Sequence, residues 1–296
     1  MILCSFTQEG IQGRVQLGQT SLRTLRWPAK LLSGRSEGIA GTVAVLIHGL
    51  GDGAGVWDAT LRAWPISACR PAMIAVELPG HGESDWWDGS HYNAQAVSEC
   101  LEEVVFSLGL HRPIIIGHSL GANIALRMGA NNVLNPRALI LIELSVGSKA
   151  IATHALVTHI RSLISGDQDK SSFFNRLVRA LPLADPYALR SFIESLAHDQ
   201  DGRCWVPHDP QIECYLEDAP MMLADDLLSR VVAPVGLIRG AFSAVMAKGV
   251  ALKLVQKFSA YTSLQTIDRA GHAVLLEQPA AVARALAEMI GQLTYE

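Results

Sequence analysis

Short runs of aliphatic and β-branched residues alternate along this chain with stretches whose apolar positions recur every three or four residues. Residues 42–47, 72–78, 114–116 and 138–144 are near-continuous apolar runs, as expected of parallel strands covered by helices on both faces. Two further strands are predicted at 235–238, after Pro234, and at 264–267. Residues 11–27 read as a hairpin of edge strands turning at Gly18, and 31–41 as a loop. Helical spacing marks 93–108, 123–128 and 279–293. This β-α-β order predicts right-handed crossovers and a mostly parallel central sheet. Between residues 145 and 234 there is no strand signal. Segments 172–181, 186–197 and 220–230 look helical there, punctuated by Pro182, Pro186, Pro207, Pro210 and Pro220. An insertion at that point lies over the strand ends where open α/β sheets bind ligands, so we read it as a helical cap rather than a second helical layer.

Composition narrows the class. With 296 residues, 49% of them apolar, the chain can bury one large core or a core with a subdomain. The formal charge is -4 and no basic run stands out, which argues against nucleic acid or an anionic membrane as partner and for small-molecule chemistry. Apolar runs stop short of a membrane span, and residues 1–7 lack the basic region and cleavage site of a signal peptide. Cys4, Cys69, Cys100, Cys204 and Cys214 are odd in number and form no C-x-x-C, so neither a disulfide framework nor a zinc site is expected. A reducing cytoplasm follows as the expected compartment. Residues 49–55 follow a strand but lack the P-loop lysine and do not fit G-x-G-x-x-G, so no cofactor is expected.

The chemistry centres on Ile114-Ile115-Ile116-Gly117-His118-Ser119-Leu120-Gly121-Ala122-Asn123, an apolar strand running through G-x-S-x-G into a helix. A strand turns into a helix this sharply only where side chains are absent around the turn, hence Gly117 and Gly121. The turn presents the Ser119 hydroxyl, and the helix N-terminus behind it favours developing negative charge. Among the ten histidines, His272 follows Gly271 after the last strand, in the order serine then histidine. His81 and His118 read as structural; His154 and His159 are five apart, without an acidic residue to complete a metal site.

Four motifs resemble the capped α/β-hydrolases, and the likeness runs nearly end to end: His48-Gly49-Leu50-Gly51, Pro79-Gly80-His81-Gly82-Glu83-Ser84, the elbow at Ser119, and Gly271-His272. The resemblance implies an α/β-hydrolase fold with a helical cap inserted after the sixth strand: core residues 1–147 and 231–296, cap residues 148–230. It implies Ser119 as nucleophile, His272 as base, and the backbone N–H groups of Leu50 and Leu120 as oxyanion donors. The chain departs from the family at the acid. Where such hydrolases carry R-G-x-x-S-D, this one reads Arg239-Gly240-Ala241-Phe242-Ser243-Ala244, with alanine in the aspartate position. Three readings stay open. Glu143, closing the apolar run 138–142, supplies the carboxylate, since a buried acid there needs a partner; or Asp218, Asp225, Asp226 or Asp268 does; or the pair Ser119–His272 works as a dyad.

Trp57, Trp64, Trp86, Trp87, Phe173, Phe174, Phe192, Trp205 and Met221-Met222 fall in or near loops and cap. Such residues belong more often to core than to pocket, but several lining one mouth would make an apolar acyl pocket. The expected reaction is hydrolysis or transfer of an ester, thioester or lactone with a hydrophobic acyl part. A carbon–carbon bond hydrolase of ring-cleavage diketones, a cofactor-free lyase or cyclase, and a non-catalytic ligand-binding homologue are the alternatives. Oligomeric state is not legible.

Overall fold

The computed structural model describes residues 10–32, 41–144, 158, 160–216 and 225–294. The N-terminal residues, part of the 31–41 loop, Cys4, His154, His159, Asp218, Met221-Met222 and the first part of the 220–230 helix lie outside them.

Strands β1 (Ile11–Leu17) and β2 (Thr20–Trp27) pair antiparallel across Gly18, whose φ of +57° suits a residue without Cβ. The chain then lays down β3 (Val43–Ile47), β4 (Ala72–Val76), β5 (Ile114–His118) and β6 (Ala138–Ile142). After the insertion come β9 (Val235–Gly240) and β10 (Thr262–Ile267). They form one eight-stranded sheet in the order β1-β2-β4-β3-β5-β6-β9-β10, parallel from β4 to β10. Strand β3 lies between β4 and β5, so the chain reverses direction across the sheet beside β3. The crevice at that switch point, beyond the C-terminal strand ends, is where open α/β sheets hold ligands.

Alternation along the strands divides the core in two. Ile114 and Ile116 face the cluster that takes in Leu46, Ile140 and the helix α9 (Pro279–Thr294) through Val282, Leu286 and Met289. Ile115 faces the other, with Val45, Leu139, Leu141, and the helices α2 (Ala94–Ser107) and α3 (Leu120–Asn131). Helix α2 begins where Asn93 accepts a hydrogen bond from the Ala96 amide at 2.9 Å, the side-chain cap its sequence offers.

Within the insertion, helices α4 (Lys170–Ala180) and α5 (Pro186–Leu196) start on Asp169 and Asp185, whose carboxylates cap the first amides. A helix α6 (Asp225–Arg230) ends it, packed on α3. The expectation of no strand here is corrected by an antiparallel hairpin, β7 (His198–Gln200) and β8 (Arg203–Trp205), turning at Asp201-Gly202 with both φ positive. Three-residue strands rich in exposed polar groups carry no hydrophobic alternation, so only the Asp-Gly turn could have signalled them. Of the aromatic residues flanking loops and cap, four follow the commoner expectation of core. Trp57, Trp64, Phe173 and Phe192 are buried in the core cluster on the α9 side rather than gathered at a mouth, because large apolar surfaces gain most from full burial. Trp86 stands exposed in a surface hollow that Asp85 and Asp88 also line. No helix among the described residues is long and apolar enough to cross a membrane.

Candidate active site

Ser119 sits between β5 and α3 with φ +53° and ψ −114°, a conformation that L-residues seldom hold. A Cβ on Gly117 would meet the backbone of Gly121, and one on Gly121 the carbonyls of Ile47 and His48, which is why glycine stands at both positions. Ser119 does not cap its own helix, so the hydroxyl is available elsewhere. It meets His272 Nε2 at 2.9 Å. His272 lies in the loop between β10 and the short helix α8 (Val274–Glu277), and its Nδ1 meets Glu143 Oε2 at 2.9 Å.

Glu143 follows β6 directly, with φ +53° and no solvent exposure. Its Oε1 accepts the Gly240 N–H at 2.7 Å and its Oε2 the Ser243 hydroxyl at 2.5 Å. Ser243 is itself held by the Met246 N–H on its Oγ at 3.0 Å. The segment that lacks the family's aspartate thus grips Glu143 instead, while Ala244 faces solvent. Because Glu143 can only accept from the imidazole, Nδ1 carries the proton and Nε2 keeps its lone pair for the serine. Both ring nitrogens of His272 are therefore engaged. Asp226 forms an exposed pair with Arg230, Asp268 is exposed, Asp218 is outside the described residues, and so is the side chain of Asp225.

The loop after β3 closes on the serine from the other side. A Cβ on Gly49 would fall 2.8 Å from Asp52 Oδ2, 3.0 Å from His118 Nδ1 and 3.3 Å from Ser119 Cβ, so only glycine allows this approach. Leu50 follows at once, and Leu120 is the first residue of α3, directly after Ser119. His118 backs the site: its Nε2–H donates to the His272 carbonyl at 3.0 Å and its Nδ1 lies 3.3 Å from Asp52. Burial works against its charge, yet the hydrogen bond and the negative charge of Asp52 together raise its pKa. Glu277, raised by burial, accepts the Gly271 amide at 2.5 Å and so steadies the residue before His272.

His81 meets backbone with both ring nitrogens, whereas His118 meets the His272 carbonyl with one and the Asp52 carboxylate with the other. Sequence reasoning missed Ser243 and Gly240 as partners of Glu143, and missed His208, which reaches Gly51 from the insertion at 2.9 Å. Ser243 could have been found from its place beside the missing aspartate; Pro207-His208-Asp209-Pro210 carries no signal beyond its prolines.

A model of the alpha/beta hydrolase family matches residues 44–285. The esterase Rv0045c of Mycobacterium tuberculosis is 28% identical over 296 residues, covering 96% of this chain and 91% of that protein. Among solved structures, an E-2-(acetamidomethylene)succinate hydrolase superposes with a TM-score of 0.81 at 20% identity, over 95% of this chain and 99% of that one. The thioesterase domain from the curacin biosynthetic pathway does so with a TM-score of 0.72 at 18% identity, again over 95% and 99%. With the sheet order, the strained serine and a family match over most of its length, the chain belongs to the alpha/beta hydrolase family and is a hydrolase built on that fold.

Proposed function

We propose that the protein is a serine hydrolase that cleaves a carboxylic ester or thioester with an apolar acyl part through an acyl-serine intermediate. The observation that carries this reading is the unbroken hydrogen-bond chain from Ser119 Oγ through the His272 ring to the buried Glu143 carboxylate. In it Ser119 attacks the carbonyl carbon while His272 Nε2 takes the hydroxyl proton. Glu143 holds the imidazole in the receptive tautomer and stabilises the imidazolium formed. The amides of Leu50 and Leu120 donate to the tetrahedral oxyanion, aided by the α3 N-terminus. His272 then gives its proton to the leaving group, and a water deprotonated by the same nitrogen releases the acid. No cofactor enters this sequence.

The apolar acyl preference rests on Leu50 and Leu120, which flank the site in sequence and belong with Leu144 and Ile160 to the buried apolar cluster on this face of the sheet. The insertion serves as a cap over this end of the sheet, and the named esterase and thioesterase relatives are consistent with acyl chemistry. Intact mass spectrometry after exposure to a fluorophosphonate tests the reading. One phosphonyl adduct is expected on the wild type and none on Ser119→Ala or His272→Ala; a folded wild type that stays unlabelled and turns over no short-chain ester overturns it.

A further inference from the structure

Three buried histidines surround the loop after β3, and each spends both ring nitrogens on backbone. His48 Nε2 accepts the Leu78 N–H at 2.9 Å, so its Nδ1 carries the proton and donates to the Gly49 carbonyl at 2.8 Å. His81 Nε2 accepts the Gly51 N–H at 3.2 Å, and its Nδ1–H donates to the Pro79 carbonyl at 3.0 Å. His208 Nδ1 accepts the Gly82 N–H at 3.3 Å, and its Nε2–H donates to the Gly51 carbonyl at 2.9 Å. With their lone pairs committed to amides, these rings are not a metal site. The rings of His48 and His81, and of His81 and His208, stand 5.0 Å apart.

The three contacts fall on consecutive peptide units. His48 holds the 49–50 unit by its carbonyl, His81 the 50–51 unit by its N–H, and His208 the 51–52 unit by its carbonyl. Peptide planarity makes the Leu50 N–H point opposite to the Gly49 carbonyl, so fixing one aims the other. Gly51, at φ +78°, is the joint about which this loop could swivel, and it is held on both sides. His208 alone among the three comes from the insertion. Its neighbour Asp209 is tied to the same region, with its N–H on the Gly80 carbonyl at 2.9 Å and its carboxylate accepting the Tyr92 hydroxyl at 2.8 Å. Burial pushes His48 down to about 4 and His81 down to about 3, so both stay neutral acceptors at neutral pH.

We propose that His208 is a positioning residue for the oxyanion hole: by clamping the Gly51 carbonyl to the Gly82 amide, it lets the seated insertion set the aim of the Leu50 N–H. The inference rests on the acyl-serine reading above. The Asp52 N–H of the same 51–52 peptide donates to the Gly49 carbonyl at 3.1 Å, so the unit that His208 clamps bears directly on the unit that carries the Leu50 N–H. Without the His208 contact that peptide keeps only its Asp52 anchor, the Leu50 donor is aimed less tightly, and transition-state binding suffers while substrate binding does not.

The test compares wild type, His208→Gln and His208→Asn on a p-nitrophenyl ester and on a trifluoromethyl ketone, whose serine adduct is an oxyanion. Glutamine reaches Gly51 with an N–H donor; asparagine keeps the Gly82 contact but falls short of Gly51. Circular dichroism and melting confirm that each variant is folded. For His208→Asn we expect kcat to fall about 10- to 100-fold, less than the roughly 10²- to 10³-fold loss for deleting an oxyanion donor outright, because the donor is loosened and not removed. KM should stay within about threefold, and the ketone should weaken in step with kcat/KM. His208→Gln should recover most of both. Folded variants with wild-type kcat and ketone affinity, or a change in KM alone, overturn the positioning role while leaving the acyl-serine reading in place. A wild type that neither turns over the ester nor binds the ketone overturns both.

Discussion

Replacing Glu143 by glutamine changes one atom of a fully buried side chain, and the consequences can be worked from its three donors. The Gly240 N–H, 2.7 Å from Oε1, is a backbone donor that cannot reverse. The glutamine oxygen must therefore stay on Gly240, because turning the amide would set two donors against each other at a cost of about 1–3 kcal/mol. Its NH2 then occupies the place of Oε2, facing the Ser243 hydroxyl and His272 Nδ1. The hydroxyl rotates and accepts. His272 accommodates the new donor only by moving its proton to Nε2, the nitrogen that has to receive the proton of Ser119. The wrong tautomer in an acyl-serine site lowers kcat by about 10⁴-fold, or about 5.4 kcal/mol.

Stability should change little, since volume is kept and, among the described residues, the ionisable side chain in contact with Glu143 is the His272 imidazole. The assay is steady-state hydrolysis of p-nitrophenyl butyrate, beside the rate of fluorophosphonate labelling and a thermal melt. Glu143→Asp keeps the charge but withdraws it by about 1.5 Å, for which a loss of roughly 10²-fold is expected. A folded Glu143→Gln within tenfold of wild-type kcat would refute the reasoning and leave the serine and histidine as a dyad.

Other outcomes follow from the same geometry. Ser243→Ala removes one donor from Glu143 Oε2 and the acceptor of the Met246 amide, so kcat should drop about tenfold and unfolding in urea should come about 1–3 kcal/mol sooner; unchanged kcat would detach Ser243 from the site. Asp268→Asn should leave kcat within twofold, because Asp268 is exposed and both nitrogens of His272 are already engaged. Nitrogen NMR of the imidazoles should find His48 and His81 neutral at pH 5, where a free histidine is about 97% charged. Their folded values lie below the unfolded one, so the stability they permit is whole above about pH 6.5 and is lost as pH falls toward about 4 and 3 respectively. Each contributes about 1.4 kcal/mol per pH unit in that range; titration of either ring near 6.5 would contradict this.

The sheet was legible because its strands are long apolar runs in a β-α-β order, and burial on both faces leaves such runs little choice. The elbow was legible because its glycines are demanded by backbone collisions within five residues of each other. What the sequence could not supply were contacts closed over long separations by polar groups: Glu143 to Gly240 spans 97 positions, Glu143 to His272 spans 129, and His208 to Gly51 spans 157. Hydrophobic periodicity says which face is buried, not which backbone amide a buried carboxylate will find. It marked Glu143 as needing a partner and stopped there. For the aromatic residues loop-flanking position left core and pocket both open, and burial energetics decided for the commoner reading by placing Trp57, Trp64, Phe173 and Phe192 in the core.

The strain at Ser119 offers a way to weigh position against chemistry. Its φ of +53° and ψ of −114° are held because its N–H bonds to the Ile142 carbonyl at 2.9 Å and its carbonyl accepts the Ala122 and Asn123 amides, so the strand and the helix both fix it. A non-glycine residue in such a region costs about 1–3 kcal/mol. Ser119→Ala and Ser119→Gly both remove the hydroxyl and its hydrogen bond to His272, so they differ mainly in backbone. Glycine relieves the strain and loses about 0.5–1 kcal/mol to the freedom of its unfolded chain. The balance leaves Ser119→Gly more stable than Ser119→Ala by about 1 kcal/mol. Urea unfolding of the two variants side by side reads the difference directly. An alanine variant equal to or more stable than the glycine one would mean that the elbow is relaxed, and that Ser119 is presented by its two flanking elements without stored strain.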